Sequence, residues 1–139
     1  MGESPRQSWV GAAILLGVGY ALVGIAFAVP ASHVQAWRLA AWVVSAIGYA
    51  AHIAYERFRL QNSPGSAALH VAFAVALGAF GLAVGANIHA LSTGSTNQHR
   101  QLLLFSLGIW PVMTALPAFL VALGTNVVLG RALGSVQGK

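Results

Sequence analysis

QAWRLAAWVVSAIGYAAHIAYERFR, residues 35–59, is the stretch whose reading decides the fold. Gln35, Arg38, Trp42, Ser45, Tyr49, His52, Glu56 and Arg59 recur in it at alternating steps of three and four. That spacing averages about 3.5 residues, so all eight fall on one slowly drifting stripe of an α-helix. The positions between them are mainly Ala, Val, Ile, Leu and Gly. A helix with one polar stripe and an otherwise lipid-compatible surface reads as a membrane span, with the stripe turned toward other helices or a wet cavity.

The rest of the chain agrees with that reading. Of its 139 residues 58% are hydrophobic and 6% charged, whereas about a quarter of a soluble domain is charged. The mean hydropathy is +0.75. The length suits a single integral-membrane domain, residues 1–139. Seven basic residues stand against two acids, but they are sparse and form no aromatic-laced patch. The expected partner is therefore the lipid bilayer with its anionic headgroups, and not nucleic acid. The absence of cysteine excludes disulfides, thiolate chemistry, iron–sulfur clusters and c-type haem attachment.

Outward from the stripe, composition predicts an all-α, four-helix transmembrane bundle with helices over about residues 9–29, 32–58, 67–91 and 100–129. The first apolar run is longer than a signal-peptide core and is preceded by little charge, so it is read as a retained helix despite the small-residue site at residues 29–31. LQNSPGS, residues 60–66, reads as a turn with Pro64-Gly65 as breaker. Pro111 and Pro117 are expected to kink the fourth helix, and the tail from Gly130 to be frayed. With both termini cytoplasmic, Arg6, Arg57, Arg59, Arg131 and Lys139 lie inside against Arg38 and Arg100 outside. That count favours cytoplasmic termini in a bacterial inner membrane.

Small residues form a second pattern. Gly17, Ala21, Gly24 and Ala28 repeat as Ala74, Gly78, Gly81 and Gly85, with the same 4-3-4 spacing displaced by 57 positions. Such stripes are helix-packing faces in lipid. The echo has two readings: a duplicated helical hairpin in a parallel 2+2 repeat, or a coincidence of Ala/Gly-rich composition. Whether the two faces meet within one chain or across a dimer is left open by spacing alone. A homo-oligomer or a place in a larger membrane complex is expected, because four thin helices enclose little by themselves.

The stripe carries the functional expectation. Ser45, Tyr49, His52, Glu56 and Arg59, with His70 at matching depth across the hairpin, are the candidate polar path or pocket. His52, Glu56 and Arg59 are one helical turn apart, so Glu56 can pair with either neighbour. If a proton is handled here, Glu56 and His52 are its carriers. The plainer alternative is a polar seam whose members satisfy each other.

The leading expectation is a non-enzymatic membrane module, channel- or transporter-like, whose second helix lines a cavity for an ion or small polar solute. A redox alternative rests on the histidines. His33 and His52, and likewise His70 and His89, are 19 apart, and a hairpin centred on residue 61 matches His52 to His70 and His33 to His89. Two such pairs are the layout of a bundle holding b-type haem. Nineteen residues span about 28 Å, however, which sets both haems at the membrane edges. Interfacial histidines are the plainer reading. A third reading is a structural accessory subunit docking through the glycine stripes. No catalytic residue and no metal site is assigned, since His52-x-x-x-Glu56 is not the His-Glu-x-x-His zinc pattern.

Overall fold

The computed structural model describes residues 5–28, 34–94 and 96–137. Within them run four helices: α1 (Pro5–Ala28), α2 (Val34–Ala54), α3 (Pro64–Ser92) and α4 (Asn97–Gln137). A five-residue π-helical turn, Tyr55–Arg59, continues α2. No strand occurs among the described residues.

Three helices are long and apolar enough to cross a membrane: Trp9–Phe27, Pro64–Ser92 and His99–Ala132, with mean hydropathies of 2.2, 2.1 and 2.0. The polar stripe dilutes α2 below that standard. The outward surface is strongly apolar. Leu15, Leu22, Trp42, Ile47, Phe105 and Leu120 are all exposed, which suits hydrocarbon surroundings and would be costly over such an area in water.

α3 is the axis of the bundle. Of its span 44% is buried against 11% of the spans of α1 and α4, because its Ala- and Gly-rich surface lets helices approach from several sides. α1 packs against it in parallel. A Cβ added to Gly17 would come within 2.7 Å of Leu77 Cβ, one on Gly78 within 2.6 Å of Tyr20 Cβ, and one on Gly81 within 2.8 Å of Ala21 Cβ. The two small-residue stripes thus lie face to face within one chain. α4 packs along α3 and is pinned to it by Asn87, whose amide donates to the carbonyls of Ala83 and Leu103, each at 2.8 Å. α2 leans on α1, and its C-terminal part reaches the core formed by Ile53, Ala68, Val71 and Ala122.

The helix limits differ from the expectation in ways local chemistry explains. Pro64 and Gly65 open α3 rather than break the chain, because Ser63 caps the helix by accepting from Ser66 N at 3.3 Å and proline fits the first helical position. The connection before it turns through Gln61, at φ 51°. α4 is continuous through Pro111 and Pro117 and runs on to Gln137 instead of fraying at Gly130. There it rests against the π-turn: a Cβ on Gly130 would lie 3.2 Å from the Arg57 guanidinium.

Candidate functional site

The stripe of α2 divides into two environments. Its C-terminal members enter a closed cluster where α2, the π-turn and α3 meet. The backbone widens there: Leu60 N donates to Tyr55 O at 3.2 Å, and Asn62 N to Glu56 O at 3.3 Å. π-turns of this kind are frequent at functional sites. Glu56, in this turn, is 0% exposed, His52 is 1% and His70 is 8%. Oε2 of Glu56 accepts from Asn62 Nδ2 at 2.6 Å and lies 3.1 Å from His70 Nδ1. Oε1 faces His52 Nε2 at 3.7 Å, beyond hydrogen-bond reach. Among the described residues Oε1 and both ring nitrogens of His52 have no hydrogen-bond partner. Trp9 closes the site from α1, its ring stacked on His70 at 4.0 Å and 4°.

Among the described side chains no arginine pairs with this carboxylate. Glu56 pairs with His52 and His70, while Arg57 lies against α4 and Arg59 is exposed. An ionised carboxylate buried with no positive partner costs several kcal/mol. A proton held among Glu56, His52 and His70 removes that cost. The arrangement thus gathers one carboxylate and two imidazoles, groups of proton-exchanging chemistry, in a place shielded from bulk solvent.

The N-terminal members line a cleft of about 840 Å³ between α2 and α4. Arg38, Trp42, Ser45 and Tyr49 form its α2 wall, Trp110, Thr114 and Ala118 face them from α4, and Tyr20 and Gly78 contribute from α1 and α3. The cleft is closed where the Tyr49 hydroxyl donates to the Ala118 carbonyl. Arg38, also in its lining, is exposed, as are Trp42 and Trp110. The hydroxyl of Tyr20 is buried without a hydrogen-bond partner among the described residues.

Among the residues singled out from spacing, His52, Glu56 and His70 therefore come together, Ser45 and Tyr49 belong to the cleft, and Arg59 joins neither. Gln35 is exposed. His33 lies outside the described residues, and His89 is exposed at the far end of α3. The haem alternative meets an obstacle at its other pair. Glu56 fills the space between the His52 and His70 rings and Trp9 covers a face of His70, so these residues as arranged do not fit a haem.

Two members of the site, Asn62 and Trp9, and one further buried polar residue, Asn126, escape sequence reasoning. Asn62 reads as an ordinary turn residue, and Trp9 as an interfacial anchor. Asn126 is 0% exposed, its amide donating to Ala122 O at 2.9 Å while Oδ1 is unpartnered. A lone asparagine inside an apolar helical run is the signal the sequence offers. No family model matches the chain, and neither curated proteins nor solved structures yield a match.

Proposed function

We propose that the chain is a non-enzymatic, transport-like membrane module in which the cleft between α2 and α4 receives an ion or small polar solute. In this reading α2 is a fourth span, its 21 residues covering about 30 Å. The buried His52–Glu56–His70 cluster binds the proton to which occupancy of the cleft is linked. One observation carries the reading: a single helical stripe lines an open cleft at one end and terminates in a fully buried carboxylate at the other. An ionisable side chain kept inside an apolar bundle is expensive, and its default role is functional.

The distribution of basic residues supports cytoplasmic termini in a bacterial inner membrane, with the proton cluster near the cytoplasmic face. The parallel contact of α1 with α3 is what a duplicated hairpin with its axis along the membrane normal would produce. The exposed apolar flanks leave room for association with further copies or partners.

Because the chain has no cysteine, single-cysteine variants report on the cleft without background. Ser45→Cys in intact membranes should react with a small, charged methanethiosulfonate reagent, whereas the lipid-facing Ile47→Cys should stay inert. Equal inertness of the two would sink the reading, since a dry cleft passes no polar solute.

A further inference from the structure

The cleft carries a more specific chemistry than a generic polar path. Arg38 makes no ion pair or hydrogen bond among the described residues. Of the chain's two acids, Glu3 lies outside the described residues, and Glu56 is bound in the cluster 18 positions along the stripe, about 27 Å away. The exposed guanidinium in the lining of the cleft is thus a fork of donors with no anion supplied by the described residues.

One turn along the stripe stands Trp42, which is 76% exposed, and Trp110 lines the cleft from α4. Ser45 lines the cleft beyond Trp42, and its side chain makes no hydrogen bond among the described residues. Arg38, Trp42 and Ser45 share one stripe, and the seven positions from Arg38 to Ser45 correspond to about 10 Å. The order along the wall is therefore anion receptor, aromatic face, hydroxyl. A volume of about 840 Å³ lies in the range that encloses one small organic molecule.

Resting on the cleft reading above, we infer that the occupant is an aromatic organic anion. Its carboxylate meets Arg38, its flat apolar body lies between Trp42 and Trp110, and a hydroxyl or carbonyl at its far end reaches Ser45. Offset stacking on two indoles favours a flat ring system over a flexible acyl chain. The lone guanidinium favours an anion over a neutral or cationic solute.

The test uses the full-length chain in neutral detergent, with binding to empty micelles subtracted. Three radiolabelled probes are compared: 4′-hydroxybiphenyl-4-carboxylate, biphenyl-4-carboxylate and the neutral 4-phenylphenol. The expected order of affinity is the order given. Arg38→Gln should weaken both carboxylates about tenfold or more, the usual effect of losing a charge-assisted bond, and leave 4-phenylphenol unchanged. Arg38→Lys should recover part of the loss. Ser45→Ala should weaken only the hydroxylated carboxylate.

Saturable binding of all three probes with equal affinity, untouched by Arg38→Gln, overturns the anion assignment while leaving the cleft as a binding site. No saturable binding of any probe, together with Trp110→Cys cross-linking to a second copy, overturns both, because the cleft is then an interface between chains.

Discussion

His70 Nδ1 stands 3.1 Å from Glu56 Oε2, tying the first turns of α3 to the π-turn that ends α2. Glu56→Ala removes the acceptor shared by His70 and Asn62 and leaves buried polar atoms unmatched. Its expected cost is about 2–4 kcal/mol. Glu56→Gln keeps the shape and an acceptor, so it should retain most of that stability while removing the titratable carboxylate. Thermal unfolding in detergent compares the two. Equal melting of both variants would show that the cluster contributes nothing to cohesion.

Trp9 covers that cluster by stacking on His70. Trp9→Leu should lose about 1 kcal/mol and admit water to the buried carboxylate. Carboxylate infrared bands in D₂O would then shift faster than in the native chain. An unchanged exchange rate would mean that α1 is not the barrier.

The α1–α3 contact predicts different outcomes at neighbouring glycines. Gly78→Ala would drive a Cβ to 2.6 Å from the rigid Tyr20 Cβ, whereas Gly24→Ala meets only the Leu82 side chain, which can rotate, and Gly85→Ala finds ordinary contact at 3.9 Å. Gly78→Ala should therefore cost about 1–3 kcal/mol and the other two much less. Thermal unfolding of the three variants checks the ranking, and a uniform response would contradict the direct contact.

Tyr49 joins the closed end of the cleft to Ala118. Tyr49→Phe should cost about 1 kcal/mol and loosen α2 from α4, so that Ser45→Cys reacts faster in its presence. Unchanged reactivity would show that the hydroxyl does not hold the helices together.

Gln61 turns the chain at φ 51°, where a side chain is strained and glycine is not. Gln61→Gly should stabilise the chain by about 0.5–1 kcal/mol. A loss of stability would mean that the Gln61 side chain has a role beyond the turn.

Much of this architecture is legible in residue order. Steps of three and four from Gln35 to Arg59 identify one helical stripe, and equal 4-3-4 spacings identify two close-packing faces. Hairpin arithmetic about residue 61 sets His52 and His70 at one depth, and both reach Glu56. The division of the stripe into cleft and cluster is not legible, because it depends on how α2 diverges from α4. Asn62 reaches Glu56 only because a π-turn and a left-handed residue fold the connection back. Trp9 finds His70 only because α1 docks parallel to α3, a choice that no local propensity encodes.

That parallel docking also has a bearing on biogenesis. α1 and α3 are not consecutive, so the glycine face of α1 has no partner in the chain until two further helices have been synthesised. α2, which follows it directly, leans on α1 without covering that face. Until α3 follows, that face of α1 is without the helix it packs against in the finished bundle. Assembly of this bundle is thus gated by its third helix, and a chain halted after the second would present an unfilled small-residue face to any membrane helix nearby.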